Sequence, residues 1–478
     1  MPTVLLTGAT GYIGRRLERL LREREGINLR LLVRNARKLS SRTCQHAQII
    51  EADTFSPEGL RQALTGVDTA FYLIHSMGAG EDFSRLDRQS AANFLDACID
   101  CHVRRIIYLG GLGDPTSASK HLTSRLETGA ILSSRPDQIQ TIWFRAGVII
   151  GSGSTSFEII RHLVEKLPVM TTPRWVRTRT QPIGINDVLA YLDAAIDLKV
   201  DGNLVVDIGM EAMSFKDMLQ QTALSLGLHR TILPVPLLSP HLSSFWLTLV
   251  TPIPYRIGAA LVEGLKSETL MDNDHAGQYF PHIHPTSFTE AVRQAAYELE
   301  HDQVISRWCD AASATASCDI SEQERRSPLF FHDIRSMSTA GIPRDKLFAS
   351  LCALGGDNGW LSYNGLWWLR GLIDKMLGGC GLNRGRRHPR ELRIGDALDF
   401  WTVADLVPGK RLLLRAQMKL PGKAWLEFDM QENVLVQTAH FLPHGLWGRL
   451  YWYAVLPFHS FVFPSLCGKI IERAASQP

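Results

Sequence analysis

Apolar residues in the first 150 positions come in short runs that alternate with amphipathic patterns of helical period. The first run, Val4–Thr7, leads into a glycine-rich turn, and Leu17, Leu20 and Leu21 then recur at helical spacing. This order predicts a strand, a tight turn and a helix. Such alternation continues and predicts an α/β fold of Rossmann type with a doubly wound parallel sheet. Five further runs have strand character: Leu29–Val33, Gln48–Ile50, Thr69–Ile74, Arg105–Leu109 and Thr141–Phe144.

The pattern changes towards the C-terminus. Residues 306–327 are small and polar, which predicts a linker between a first domain at residues 1–305 and a second at residues 328–478. The second domain begins with a helical pattern at Leu366–Leu377 and ends with a long apolar segment, Gly448–Ala474. Between them, short turns join four runs of strand character. We therefore expect an α+β domain in which an antiparallel sheet packs against a long C-terminal helix. The four runs are Leu398–Ala404, Arg411–Lys419, Ala424–Met430 and Val434–Phe441.

Charge and tryptophan content separate the same two parts of the chain. The 478 residues carry a formal net charge of +3, which gives no electrostatic case for binding nucleic acid. Residues 1–330 have a net charge of −3, whereas residues 331–478 have a net charge of +6 and hold seven of the 11 tryptophans. The two parts therefore differ in construction, and we expect them to differ in task.

Cysteine use and two apolar stretches bear on where the protein works. Eight cysteines without paired spacing argue against a disulfide scaffold and against a zinc site, and a cytoplasmic compartment fits them best. The N-terminal sequence predicts no signal peptide. Thr231–Tyr255 and Leu450–Gly468 are long and uncharged, but prolines interrupt both. For the second stretch, a buried helix or a segment that rests on a membrane surface is favoured over a spanning helix.

The turn between the first strand and the first helix suits a dinucleotide cofactor. Its first glycine permits the tight turn, its second lets the backbone approach a pyrophosphate, and its third lets the helix pack on the strand. The helix N-terminus adds N–H groups and the positive end of its dipole. A turn without a ligand is the weaker alternative. The predicted cofactor-binding residues of this turn are Gly8, Ala9, Thr10, Gly11, Tyr12, Ile13 and Gly14.

Residues at the ends of the next strands favour NADP(H), with NAD(H) as the second choice. Arg34 follows the second strand, where an NAD-specific site places an acid for the ribose hydroxyl. Its guanidinium suits a 2′-phosphate, although a solvated surface arginine remains an alternative. Asp53 is predicted to contact the adenine end. Ile74 and His75 end the fourth strand, where open α/β sheets bind their ligands.

These residues resemble the extended and atypical short-chain dehydrogenase/reductases. The resemblance covers about the first 300 residues. The whole chain is also similar to the bacterial YbjT-type NAD(P)-binding proteins, which have an attached C-terminal domain of unknown function. The first resemblance rests on the TGATGYIG turn (Thr7–Gly14), Asp53, Arg145–Gly151, and Pro182-Ile183 leading to Asp187-Val188. The resemblance to the YbjT-type proteins rests on His75–Gly78, Pro173–Arg177 and the attached C-terminal domain.

The catalytic pattern of that superfamily is missing. Its reductases usually place a tyrosine and a lysine four residues apart on one helix, with a Ser or Thr at the end of the preceding strand. Here that strand ends in Gly110-Gly111, and His121 and Arg125 stand at the expected spacing. Histidine can transfer a proton near neutral pH, and arginine can hold a phosphate or hydroxyl group. A His121/Arg125 catalytic pair and two ordinary surface residues are equally favoured.

The predicted sheet and helix of the second domain resemble the START-like helix-grip domains, which hold an apolar ligand between the two. Tryptophans that merely fill a core explain the composition equally well. For the basic cluster that precedes the strands, contact with anionic lipid headgroups or cofactor phosphates competes with an ordinary solvated turn. The cluster consists of Arg384, Arg386, Arg387 and Arg390.

We expect an NADP(H)-binding atypical oxidoreductase that acts on a hydrophobic small molecule. The competing hypothesis is a non-catalytic NAD(P)H-binding sensor or scaffold that presents a partner or a membrane surface. Either protein would be cytoplasmic, with peripheral contact at the inner membrane through the second domain as a further option.

Overall fold

The computed structural model describes residues 1–75, 83–114, 118–172, 174–234, 251, 255–264, 267–301, 303–307, 320, 330–339, 341–377, 379–382 and 386–476. The chain divides into two compact units. The first comprises Met1–Thr251 and Tyr255–Ala314, and the second includes Thr315–Pro478. Several sequence features lie outside the described residues, among them Ser76–Gly78, Pro173, Arg384 and most of the predicted linker.

The first unit is built on a seven-stranded parallel sheet with the strand order β11-β6-β5-β4-β1-β2-β3. Every adjacent pair in this sheet is parallel, as the sequence predicts. The order reverses between β1 and β4, which is where doubly wound sheets bind their ligands. The strands are β1 (Thr3–Thr7), β2 (Asn28–Val33), β3 (Gln48–Glu51), β4 (Thr69–Tyr72), β5 (Arg105–Gly111), β6 (Gln140–Ala146) and β11 (Leu204–Ile208).

Helices cover both faces of this sheet. One core contains Val4, Leu6 and Leu17, and the other contains Leu5, Phe94 and Cys98. Alternate residues of β1 thus point into opposite cores, as expected for a strand buried on both faces. Burial raises the pKa of the Cys98 thiol, which fits a packing role. The helices up to β11 are α1 (Tyr12–Glu23), α2 (Ser41–His46), α3 (Pro57–Leu64), α4 (Phe83–Asp100), α5 (Lys120–Leu132), α6 (Thr155–Lys166) and α7 (Ile185–Ala194).

The described part of the first unit also contains shorter elements. Three two-stranded sheets pair β10 with β7, β12 with β9 and β13 with β8. The strands are β7 (Ile149–Ile150), β8 (Val169–Thr172), β9 (Arg179–Thr180), β10 (Ile183–Gly184), β12 (Met213–Ser214) and β13 (Thr231–Pro234). The helices are α8 (Phe215–Ser225), α9 (Tyr255–Gly264), α10 (His275–Tyr279) and α11 (Phe288–Glu300).

The second unit is an antiparallel sheet packed against a long helix, as the sequence predicts, but the sheet has six strands where the sequence predicts four. The strand order is β14-β19-β18-β17-β16-β15. Its strands are β14 (Phe331–Ser338), β15 (Ala397–Leu398), β16 (Trp401–Val407), β17 (Arg411–Ala416), β18 (Gly422–Gln431) and β19 (Val434–Pro443). Its helices are α12 (Arg344–Cys352), α13 (Asn364–Met376) and α14 (Gly445–Ala475).

Side chains fill the space between this sheet and α14. Leu414, Phe428 and Phe441 of the sheet and Trp452 and Leu466 of the helix belong to one buried cluster. Their exposed fractions are 5% or less. Of the seven tryptophans of this unit, Trp360, Trp401, Trp425 and Trp452 are buried, Trp367 is half-buried, and Trp368 and Trp447 are exposed. Core packing therefore explains the positions of four of these seven tryptophans.

Two arginines of the basic cluster are structural. The guanidinium of Arg386 donates hydrogen bonds to the carbonyl groups of Cys352, Leu354 and His388. Arg387 forms a buried ion pair with Asp396 at 3.2 Å. Both are 9% or less exposed. The expectation that these two side chains meet lipid headgroups, cofactor phosphates or solvent is therefore wrong, because they bind groups of their own unit.

One helix among the described residues, Gly445–Ala475, is long and apolar enough to cross a membrane. Pro457 and Pro464 lie within it. Only 28% of its most apolar window is buried.

Candidate cofactor and proton-transfer site

The glycine turn sits at the carboxyl end of β1, against the end of β4. The Thr7 hydroxyl donates to the carbonyl of Phe71 at 2.8 Å and accepts from the Leu73 amide at 3.0 Å. Gly8 has a φ of +68°, and a Cβ there would lie 2.4 Å from the Leu73 carbonyl oxygen. Position 8 therefore requires glycine on both counts.

The first turn of α1 presents its amides to the same edge. Gly11 is the N-cap, and among the described residues no side chain bonds to the cap. A Cβ at Gly14 would lie 2.1 Å from the Gly8 carbonyl oxygen, so the helix begins directly on the turn. Uncapped amides and the positive end of the dipole are what a pyrophosphate needs, and the residues of the predicted turn fit that group.

The side chains of Tyr12 and Ile13 are half-buried and pack against one core of the parallel sheet. Burial raises the pKa of the Tyr12 hydroxyl. The Arg16 guanidinium lies over its ring, 5.2 Å from the ring centre. The backbone carbonyl of Tyr12 accepts a hydrogen bond from Ser306, a buried residue at the start of the predicted linker. The Tyr12 side chain therefore packs in the first unit.

Basic residues surround the loop that follows β2. Arg34 and Arg37 are exposed. Arg15 is buried and donates to the carbonyl groups of Thr10 at 3.1 Å and Lys38 at 3.3 Å, so it ties the glycine turn to this loop. Sequence reasoning missed Arg15, although it directly follows the third glycine of the turn.

Acidic residues near this loop already bind backbone groups. The Glu51 carboxylate accepts from the Ala36 amide at 2.8 Å. Asp53, at the end of β3, accepts from the Phe55 amide at 3.0 Å and is half-buried. Its carboxylate therefore shapes the turn where the predicted adenine contact lies.

A histidine–carboxylate pair follows β4. Nδ1 of His75 lies 3.0 Å from an Asp87 carboxylate oxygen, and the Ser124 hydroxyl donates to the same oxygen at 3.0 Å. An ionised carboxylate accepts only, so His75 donates through Nδ1 and its Nε2 is left as a proton acceptor. Within the described chain, the buried Nε2 has no hydrogen-bond partner.

The predicted catalytic residues of α5 lie beside this pair. The His121 ring stacks on Phe83 at 4.4 Å and stands edge-on to His75 at 6.4 Å between ring centres. Its Nδ1 is buried and without a hydrogen-bond partner in the described ranges. A Cβ at Gly111 would lie 3.6 Å from Cδ of Arg125, which places Arg125 at the end of β5.

Burial keeps both rings neutral. It lowers the pKa of His75, against the opposing effect of the hydrogen bond to Asp87. It also lowers the pKa of His121, and the Arg125 charge acts in the same direction. At pH 7 the site therefore holds two uncharged imidazoles next to one buried carboxylate.

Sequence reasoning named His75 as a cofactor contact and missed Asp87 and Ser124. Asp87 is 4% exposed and lies on the buried face of α4, between Phe83 and Ala91. An acid on the apolar face of an amphipathic helix was the available signal, because such a side chain is rarely buried without a partner.

Comparison with known proteins agrees with this geometry. Residues 8–135 match the family described as NAD(P)H-binding. The N-terminal segment is an NAD(P)H-binding segment of Rossmann type. Residues 327–466 match a family described as a protein of unknown function, DUF2867. No curated protein matches the chain.

Solved structures with this fold include a triphenylmethane reductase from Citrobacter sp. It is 20% identical, covers 62% of this chain and 99% of its own, and has a TM-score of 0.51. The same enzyme complexed with NADP(H) is 19% identical, covers 61% of this chain and 99% of its own, and also has a TM-score of 0.51. At this identity the likeness concerns the fold of the first unit.

Proposed function

We propose that this protein is an NADP(H)-dependent oxidoreductase that acts on a hydrophobic small molecule through His75. The observation that supports it best is the His75–Asp87 pair, which lies at the carboxyl edge of the sheet where the strand order reverses, next to the glycine turn. Buried polar atoms without a partner are rare, so the ring nitrogens of His75 and His121 are candidates to bind a substrate oxygen.

A proton must move together with the hydride that bound NADP(H) supplies or accepts. In the oxidative direction Nε2 of His75 takes the proton of the substrate hydroxyl, and in the reductive direction it returns that proton to the new hydroxyl. Asp87 fixes the tautomer of His75, and Ser124 fixes Asp87. His121 donates to or accepts from the substrate oxygen, and Arg125 holds an anionic group of the cofactor or substrate.

An apolar substrate fits the surroundings of the two rings. Phe83 stacks on His121, and Leu122 packs where a Cβ at Gly111 would lie, 2.6 Å from it. The likeness to a reductase of triphenylmethane dyes, whose substrates are aromatic by name, points the same way.

The preference for NADP(H) rests on charge. Arg34 and Arg37 are exposed at the end of β2, and the nearby Glu51 carboxylate is held by the Ala36 amide. A 2′-phosphate would meet the Arg34 guanidinium there, and the Glu51 carboxylate, the acid near this loop, already accepts from the Ala36 amide.

The test of the activity combines cofactor titration with turnover. We expect NADPH to bind, and we expect NADPH consumption with at least one member of a panel of quinones, aldehydes and lipid-like ketones. His75→Gln should lower kcat about 100-fold and leave the NADPH dissociation constant unchanged. His282→Gln, at an exposed histidine, is the matched control. Tight NADPH binding without turnover on any of these substrates would overturn the enzymatic proposal, as would an unchanged kcat in His75→Gln.

The test of the cofactor preference uses Arg34→Asp. This variant should weaken NADPH far more than NADH, because it replaces an attraction to the 2′-phosphate with a repulsion. Arg135→Asp, an exposed arginine between α5 and β6, should leave both affinities as they are. Equal affinities for the two cofactors in the unmodified protein would refute the preference.

A further inference from the structure

Helix α13 of the second unit exposes a row of apolar side chains and buries an acid. Its side chains at Trp368, Leu369, Ile373 and Met376 are exposed, and Trp368 is 61% exposed. Asp374 on the inner face is fully buried, where it accepts hydrogen bonds from backbone amides of Gly381 and Lys419. A surface helix in water normally shows the opposite arrangement.

The first half of α14 has a similar outer face. Its exposed large side chains follow helical spacing at Trp447, Leu450, Tyr453, Phe458 and Phe461. The second half of the helix instead exposes an ion pair between Lys469 and Glu472. The change in character falls within one continuous helix, so secondary structure does not explain it.

These two outer faces meet at one end. The rings of Tyr363, before α13, and Phe461 are in contact at 5.4 Å, and the hydroxyls of Ser362 and Ser465 share a hydrogen bond of 2.6 Å. We call the exposed apolar side chains of both helices the apolar patch. It contains Tyr363, Trp368, Leu369, Ile373, Met376, Leu377, Leu446, Trp447, Leu450, Tyr453, Phe458 and Phe461.

Basic side chains accompany the apolar patch. Arg370 lies on α13 and Arg449 on α14. Exposed Lys419 and Lys423 flank the turn before β18, whose Pro421 carbonyl accepts from the His444 amide at the start of α14. The three segments that carry these residues, 363–377, 417–423 and 444–461, contain a single acid, the buried Asp374.

We propose that the apolar patch binds the surface of an anionic lipid bilayer. Apolar and aromatic side chains on helices that lie in the membrane interface, with lysine and arginine close by, are the features of monotopic binding. Trp368, Trp447 and Tyr453 supply the aromatic rings that favour the headgroup level. The proposed membrane contact is therefore the apolar patch, because Arg386 and Arg387 are buried and cannot reach a lipid surface.

The same geometry favours lying on the membrane over crossing it. One face of α14 packs on its own sheet along the helix, from Trp452 through Phe463 to Ile470. A spanning helix would have to leave that core, and the buried aromatic residues would lose their partners. The helix is therefore expected to contact lipid on its outer face only.

Flotation of the full chain with lipid vesicles tests this proposal. We expect binding to vesicles that contain phosphatidylglycerol and at least tenfold weaker binding to pure phosphatidylcholine. Trp368→Ser combined with Trp447→Ser and Leu450→Ser should reduce binding at least tenfold. Ile334→Ser combined with Val407→Ser, at exposed apolar positions of the sheet in the same unit, should not. Because all five side chains are exposed, both variants should fold in water.

Quenching by brominated lipids locates the contact. Tryptophan fluorescence of the unmodified protein should fall with brominated phosphatidylglycerol, and Trp368→Phe combined with Trp447→Phe should remove most of that quenching while binding persists. Equal flotation of the patch variant and the unmodified protein would overturn the proposal. So would a patch variant that turns a dimer into a monomer without any vesicle binding, since a second copy would then cover the patch. Resistance to alkaline extraction would refute surface attachment in favour of a span.

Discussion

At the scale of single residues, Asp87 controls how His75 handles a proton. The hydrogen bond to Asp87 is the main influence that raises the pKa of His75, and burial outweighs it. His75 is therefore neutral at pH 7, and oxidative turnover should be constant above about pH 6.5 and fall in acid as the ring is protonated. Asp87→Asn should move this acid limb to lower pH and lower kcat about 100-fold, because the tautomer is no longer fixed.

The pH profile of kcat checks this prediction. His75→Gln should remove the acid limb, whereas Asp87→Asn should keep and shift it. A purely structural role for Asp87 would lower the amount of active protein and leave the position of the limb unchanged, which would contradict the prediction.

A half-buried histidine, His162 in α6, affects stability. Burial is the largest cause that lowers its pKa, to about 3, and the Arg161 charge adds to this effect. The unfolded chain, with a pKa of about 6.5, binds a proton first as the pH falls, so stability contributed by neutral His162 is present above pH 6.5 and is lost progressively between about pH 6.5 and 3.

His162→Gln should remove this dependence. Between pH 7 and pH 5 the unmodified protein should lose about 2 kcal/mol more free energy of unfolding than the variant. Urea unfolding at both pH values measures the difference. Parallel losses in the two proteins would show that His162 titrates normally in the fold.

At the scale of elements, the close contact between β1, its turn and α1 depends on glycines, which have no side chain. Gly14→Ala would place a methyl group 2.1 Å from the Gly8 carbonyl oxygen. We expect a loss of about 1–3 kcal/mol from this overpacking and at least tenfold weaker NADPH binding, because the amides of α1 move. Fluorescence titration and urea unfolding measure the two effects.

Gly26→Ala is the matched control for that substitution. Gly26 has a φ of +82°, and nothing lies within 4 Å of its missing Cβ. Alanine there should cost about 1–2 kcal/mol from backbone strain and leave NADPH affinity unchanged. If Gly14→Ala bound NADPH as tightly as Gly26→Ala, the close contact between helix and turn would not serve the cofactor.

The two faces of α14 should respond in opposite ways to the same truncation. Trp452 is 5% exposed and stacks on Phe441 and Phe331. Trp452→Ala should therefore destabilise the second unit by about 3–5 kcal/mol. Trp447 is 77% exposed, and Trp447→Ala should change stability by no more than about 0.5 kcal/mol. Thermal unfolding compares the pair, and similar losses would contradict the assignment of faces.

Strands and turns were predictable from the sequence where a short stretch of residues carries their pattern. The glycine turn and the strands around it combine apolar runs with turn residues, and they form where the sequence predicts. β14 was missed because its apolar residues, Phe331, Ile334 and Met337, recur at every third position, which is not the two-residue period of a strand, and a polar segment precedes it. The run Leu204–Ile208, which forms β11, was not predicted, although four of its five residues are apolar.

The site was less predictable than the fold, for the same reason. Gly8, Gly11 and Gly14 are recognisable because the chemistry lies within seven residues. His75 follows β4, Asp87 lies in α4 and Ser124 lies in α5, and only the fold brings the three together. The exposed apolar side chains of α13 were not predictable either, because the sequence of this helix fits a buried helix equally well. Only the structure shows that Asp374 lies on the buried face.

At the scale of the whole molecule, buried clusters belong to one unit or the other. The two cores of the parallel sheet use residues between Val4 and Phe280, and the core of the antiparallel sheet uses residues between Leu347 and Ala474. Net charge divides in the same way, with −3 before residue 331 and +6 after it. Each unit therefore has a core of its own, and the positive net charge of the second suits an anionic lipid surface.

Two ligands should accordingly protect two different parts of the chain. A ligand at 100 times its dissociation constant stabilises the state that binds it by about 2.7 kcal/mol. NADPH should slow amide hydrogen exchange in β1, α1 and β4 and leave α13 and α14 unchanged. Vesicles containing phosphatidylglycerol should slow exchange in α13 and the first half of α14 and leave β1 and α1 unchanged. Hydrogen exchange measured with each ligand alone separates these effects. Protection of α13 by NADPH in the absence of lipid would contradict independent sites, because it would require a coupling free energy between the cofactor and the apolar patch.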